Sequence, residues 1–224
     1  MNLKGMLFGI LLGSSAAFGQ YKANINNSDY SFIEKDLIDT IDKQEKMLGI
    51  KHFGRPKIFF IPGFSGLAAS YDGENNRIYF RIYHKIILAH ELGHFYPDRL
   101  SESLGKGDWP VYEKFPWGFA EGEKGKKIIS EGVANYFGVR TFGNTSYGNK
   151  LKLRVKNFDS YLDSLGTDSF YDVGYFLVKP ILDISVRKGV EYLLTNTPTD
   201  KELGDILAYK ERILREFRMF ISTK

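Results

Sequence analysis

The chain contains no cysteine. That absence excludes a disulfide framework, a thiol nucleophile and every thiolate metal site, so any metal must sit on histidine, aspartate or glutamate. Histidine is itself scarce, with four copies in 224 residues: His52, His84, His90 and His94. Missing as well is any stripe of five or six consecutive basic residues. The net charge of +4 comes from Lys and Arg scattered among Asp and Glu, a mixed solvated surface that argues against a nucleic acid partner. After the first twenty residues, no apolar stretch approaches the length of a transmembrane helix.

Those first twenty residues read as an export signal. Lys4 supplies a positive start, Met6 to Leu12 an apolar core, and Gly13-Ser14-Ser15-Ala16-Ala17-Phe18-Gly19 a run of mostly small residues. Cleavage after Gly19 is expected, giving a signal peptide over 1–19 and a secreted, periplasmic or otherwise extracellular product. A membrane tether arises only if the segment stays uncleaved. The remainder, 20–224, is expected to be one domain.

Apolar positions Phe32, Ile33, Leu37, Ile38, Ile41 and Leu48 predict an amphipathic helix over Ser31 to Met47, stopped by Gly49. Lys57 to Ile61 reads as a short strand. Leu67 to Tyr71 and Arg77 to Tyr83 read as a hairpin across the turn-rich Asp72-Gly73-Glu74-Asn75-Asn76. His84 to Tyr96 has helical pattern and Pro97 is expected to end it. From Asp98 to Lys127 no period holds, and this excursion carries Trp109, Tyr112, Phe115, Trp117 and Phe119, read as a lid, a hydrophobic subsite or simple loop packing. Helix resumes near Lys126 and runs to about Val139, and turns are expected at Gly143-Asn144 and Gly148-Asn149. From Leu151 the chain reads as all-helical, with breaks at Gly166, Gly189 and Pro198 and a kink or boundary at Pro180. The expected fold is α+β: an N-terminal α/β part to about 97 with a small, mainly antiparallel sheet, the excursion 98–127, and a helical part 128–224.

His90-Glu91-Leu92-Gly93-His94 carries the chemistry. Four residues apart on a helix, His90 and His94 project from one face and can meet one Zn²⁺. Glu91, beside that face, can take a proton from water that the metal has made acidic. Gly93 suits close packing of a second element. Catalytic zinc needs a third protein ligand and an open position. The metzincin extension would require Gly and His where Pro97 and Leu100 stand, so that class is excluded. His84 lies on another helical face and His52 precedes the sheet, which leaves a carboxylate as the better candidate. Glu131, within Ser130-Glu131-Gly132-Val133-Ala134-Asn135 on a second helix, is the first choice. One turn on, the Asn135 carbonyl can accept a hydrogen bond from the far nitrogen of His90 or His94, and Gly132 and Ala134 are small enough to let two helices approach.

His-Glu-Leu-Gly-His followed by Glu-Gly-Val-Ala resembles the compact gluzincins, the thermolysin-like class, and in particular the peptidase MA-like group. Tyr71 to Tyr79 is similar to the hairpin that precedes the zinc helix there. Tyr171 to Val178, with Gly189 and Leu193-Leu194, is similar to the tyrosine-bearing helix and break that follow the glutamate. The resemblance covers roughly Lys57 to Phe220 and implies a zincin-like fold, His90, His94 and Glu131 as ligands of one zinc, and Glu91 as general base. It also implies Tyr171 as donor to the oxyanion, with Tyr175 as competitor. Asn135 stands where an aspartate is common. No Gly-x-Met-Glu-Asn segment precedes the hairpin, so endopeptidase action on a peptide or protein is favoured, with the substrate backbone expected on an edge strand. The competing expectations are a catalytically inactive zinc-binding or partner-binding module on such a scaffold, and an exported structural domain.

Overall fold

The computed structural model describes residues 31–50, 53–61, 68–81, 83–106, 109, 114–115, 118–119, 122–142, 158–159 and 168–223. The expected signal over 1–19, His52, the turns over 143–149 and the break at Gly166 lie outside the described residues, as do the side chains of Tyr112, Phe115, Trp117 and Phe119.

The architecture is α+β, a small sheet set against a larger body of helices. Helix α1 (Ser31–Leu48) opens it and buries Ile33, Ile41 and Leu48. Strands β1 (Lys57–Phe60), β2 (Ala69–Asp72) and β3 (Arg77–Phe80) make one sheet in the order β1-β3-β2. Strands β2 and β3 form the expected antiparallel hairpin, whereas β1 runs parallel to β3, so the sheet is mixed rather than mainly antiparallel. The alternation of apolar residues identifies a strand without giving its direction. Here Ile78 and Phe80 of β3 are fully buried and strands pair with both of its edges. Among the described residues, strand β2 is an edge of the sheet.

Helix α2 (Lys85–Ser103) begins at His84, whose imidazole accepts the Ile86 backbone N–H at 3.2 Å. His84 thus caps the helix. Pro97 does not end it, contrary to expectation: the helix passes through the proline for two further turns. An interior proline costs about 3 kcal/mol, but this helix buries Phe95, Tyr96 and Leu100 around the proline. Each of those side chains contributes about 1.5–3 kcal/mol on burial, which outweighs the missing hydrogen bond. Helix α2 thus takes up the first residues of the expected excursion, and among the described residues that follow is a short ribbon, β4 (Lys114–Phe115) with β5 (Gly118–Phe119).

Helix α3 (Glu123–Phe142) lies at the centre of the helical body, with α2 on one side and α4 (Asp168–Leu182) on the other. Small residues set both spacings. A Cβ on Gly93 of α2 would sit 2.7 Å from Ala134 Cα, and one on Gly132 would sit 2.2 Å from the Gly174 carbonyl carbon of α4. Ala134 therefore admits the histidine helix, while Gly132 serves the other neighbour. Pro180 falls two residues before the end of α4. Gly189 is not a break: it lies inside α5 (Val186–Leu193), where it lets that helix approach Ile181 and Leu182. Helices α6 (Asp200–Leu203) and α7 (Ile206–Ser222) complete the fold.

Gly132→Ala is expected to destabilise the protein by about 3 kcal/mol or more, because the added methyl would come within 2.2–2.7 Å of the Gly174 backbone of α4, which cannot give way as a side chain could. Gly105→Ala, at φ +69 in open space, should cost only about 1–2 kcal/mol, from its left-handed conformation. Urea unfolding of the two variants checks the contrast.

Candidate metal centre

Helices α2 and α3 run antiparallel past each other. Gly93 faces Ala134, Gly138 faces Ile86 and His90, and the polar contacts fall in the same reversed order. On α3, Ala134 faces α2 and Gly132 faces α4. At about 100° per residue, Glu131 and Asn135 fall on the seam between those two faces. Both side chains are thereby delivered to the line along which His90 and His94 project from α2.

The result is a compact triangle. His90 Nε2 and His94 Nε2 are 3.2 Å apart, and Glu131 Oε2 lies 3.3 Å from the first and 3.4 Å from the second. Glu131 is 7 % exposed, and the three residues form a group able to hold a metal ion.

The far side of each imidazole is also held. His90 Nδ1 lies 3.0 Å from Asn135 Oδ1, and His94 Nδ1 lies 3.0 Å from Ser130 Oγ. The Asn135 amide has its own anchor, since its Nδ2 donates to the Tyr171 carbonyl of α4 at 3.1 Å. With the amino group committed there, the side-chain carbonyl must face His90, which places the imidazole proton on Nδ1 and the lone pair on Nε2. Asn135 thus serves His90 of the two histidines it was expected to serve. His94 is served by Ser130, a residue the motif had not singled out. Once the helices are antiparallel, a partner for His94 is required about one turn before Asn135, and Ser130 is the short polar side chain available.

This arrangement supplies its own test of fit. Two imidazole lone pairs and a carboxylate oxygen converge in a buried seam, and Glu131 Oε2 has no hydrogen-bond donor. Three such acceptors repel one another unless something positive sits among them. Without a metal, the group would draw a proton to the imidazoles: burial would push the Glu131 carboxyl up, but His90 and His94 beside it hold it well below the usual carboxylate range, and Glu131 and Glu91 in turn raise His90 against its burial. A tetrahedral ion with bonds of about 2.0–2.1 Å needs ligand atoms about 3.3 Å apart, and the three edges cluster around that figure. The residues fit zinc.

Glu91 is 6 % exposed. Burial pushes its carboxyl up, while the nearby imidazoles of His90 and His94 and the backbone N–H of Tyr71 on β2 pull it back. The Tyr171 ring lies beside His90, with centroids 5.7 Å apart. Tyr175 packs against Tyr136 and feels Lys179, Asp183 and Arg140 rather than the triangle. Trp109, the one described aromatic side chain of the excursion, is buried.

No protein-family model, curated protein or solved structure gives a significant match to the chain. The reading of the site rests on its own geometry. Among the described residues, no helix is long and apolar enough to cross a membrane.

Asn135→Ala and Ser130→Ala should each weaken zinc binding by roughly 10- to 100-fold, since an imidazole without its outer partner loses tautomer and orientation. Competition with a chromophoric chelator measures the effect. Loss of His84 as a cap should leave that affinity unchanged.

Proposed function

We propose that this chain is a zinc-dependent peptide-bond hydrolase of the gluzincin kind, acting on peptide or protein substrates after export from the cytoplasm. One observation carries the reading: the triangle of His90, His94 and Glu131 with edges of 3.2–3.4 Å and the buried Glu91 beside it.

Zinc bound there supplies Lewis acidity, polarising a carbonyl and bringing the pKa of water toward about 7. The remaining work falls to side chains of the chain itself. Asn135 and Ser130 keep the imidazole protons on the outer nitrogens. Glu91 accepts the proton of the attacking water and passes it to the departing amine. Tyr171, from the helix that also anchors Asn135, is the candidate donor to the carbonyl oxygen as negative charge develops on it.

Endopeptidase action is the preferred form. In the β2–β3 hairpin, Arg81 N–H bonds to the Ala68 carbonyl at 2.9 Å. Pairs alternate along an antiparallel ladder, so the backbone groups of Ala69 and Tyr71 turn away from β3, toward the open edge. The Tyr71 N–H reaches Glu91. An extended peptide added along this edge would lie beside the general base, and such pairing does not require a free terminus.

Glu91→Gln is expected to retain about one zinc per chain while hydrolysis falls by roughly 10²–10⁴-fold. Metal analysis and cleavage of a labelled protein substrate make the check together. Undiminished cleavage by the variant would sink the mechanism. Zinc uptake by the wild type with no cleavage across a broad peptide library would favour the inactive binding module.

A further inference from the structure

The last two turns of α2, beyond Pro97, hold a polar cluster that the zinc chemistry does not use. Asp98 is 1 % exposed, and both of its oxygens are engaged. Oδ1 accepts the Trp109 backbone N–H at 2.9 Å. Oδ2 accepts the Tyr71 hydroxyl at 2.8 Å and Arg99 Nη2 at 2.9 Å. The same Arg99 nitrogen reaches the Gly73 carbonyl at 3.1 Å and the Tyr71 oxygen at 3.4 Å, and Nη1 pairs with Glu102 at 2.7 Å. One buried carboxylate therefore ties together the metal helix, the hairpin and the start of the excursion.

Tyr71 is where this cluster meets the site. Glu91, Phe95 and Asp98 stand at i, i+4 and i+7 on α2 and so share one face, and Tyr71 engages all three. Its ring packs edge-on against Phe95 with centroids 6.0 Å apart and its hydroxyl donates to Asp98, and its backbone N–H helps to keep the Glu91 carboxylate charged. Burial, and next the Asp98 charge, raise the Tyr71 phenol above its ordinary range, so it stays a donor. Gly73 leaves the room this needs, since a Cβ there would come within 2.9 Å of Asp98 Oδ2.

We propose that Asp98 is a positioning residue for Glu91, acting through Tyr71: the Tyr71–Asp98 hydrogen bond fixes β2 along α2 and so holds the Tyr71 N–H against the general-base carboxylate. The catalytic meaning of this rests on the hydrolase reading above, while the hydrogen-bond coupling itself does not. Asp98→Asn is a near-isosteric probe, because an amide offers one acceptor and one donor where Trp109 N–H and Tyr71 O–H each need an acceptor. Tyr71→Phe removes the hydroxyl and keeps the ring. Tyr209→Phe, which deletes a 2.6 Å hydroxyl bond to the Asn196 carbonyl in the C-terminal helices, is the control for loss of a buried hydrogen bond elsewhere.

The test uses the full-length zinc-loaded protein with fluorescein-labelled casein as substrate, chelator competition for zinc affinity, and amide hydrogen exchange read at Tyr71. In Tyr71→Phe and Asp98→Asn, kcat should fall roughly 10- to 100-fold, with KM and zinc affinity changed less than about twofold. The Tyr71 amide should exchange at least about tenfold faster, while Tyr209→Phe changes none of these. Unaltered exchange at Tyr71 in both variants would overturn the proposal, and so would an equal loss of kcat in Tyr209→Phe. Should the wild type bind zinc and leave casein intact, the hydrolase reading fails at that point and the exchange measurement alone decides whether Asp98 holds the Tyr71–Glu91 contact.

Discussion

Two imidazole nitrogens and a carboxylate oxygen meet at 3.2–3.4 Å in a seam nearly closed to water, and the organisation of the helical body follows from that meeting. For His90 the proton that would bridge to its neighbours is claimed by Asn135 on the far side of the ring, and the far side of His94 is held by Ser130. Such an arrangement is costly unless a cation compensates it. The surrounding fold bears that cost through apolar burial. Leu88, Leu92, Phe95, Ile128, Ile129 and Phe137 are all fully buried on the two helices that supply the ligands.

Helix α3 organises this site more than the histidine helix does. Ser130, Glu131 and Asn135 all belong to it, so one rigid element sets the third acceptor and both outer hydrogen bonds. Its position is fixed from two sides, at Gly93 against Ala134 and at Gly132 against Gly174, by approaches too close for any side chain. The Asn135 amide then links the site to α4 through the Tyr171 carbonyl. A displacement of either neighbouring helix would thus be felt at the imidazoles, which is why residues without chemistry of their own matter here.

Much of this was legible in the sequence where local pattern decides. Helical spacing gave α1, the hairpin came from its turn residues, and the four-residue interval of His90 and His94 put both on one face. The absence of cysteine, the scarcity of histidine and the failed metzincin extension lead to a carboxylate, and Glu131 is the first choice for its place on a second helix with small neighbours. Less legible were features decided by neighbours in space. Pro97 reads locally as a stop, and only the burial of Phe95, Tyr96 and Leu100 around it carries the helix on. The parallel direction of β1 is set by its pairing with β3 and leaves no mark in its own apolar alternation. Ser130 is an ordinary helix serine until the antiparallel pairing of α2 and α3 brings it to His94. Asp98, just past the apparent stop, looked like the start of a loop.

The central claim is that these three side chains bind zinc as a tetrahedral set with one position left for solvent or substrate. X-ray absorption at the zinc edge of the loaded, full-length protein tests it most directly. The account predicts a four-coordinate ion with two imidazole nitrogens at about 2.0–2.1 Å and oxygen ligands at about 2.0–2.2 Å, and loss of one oxygen shell component in Glu131→Ala. A six-coordinate, all-oxygen shell, or a spectrum unchanged when His90, His94 or Glu131 is removed, would contradict it.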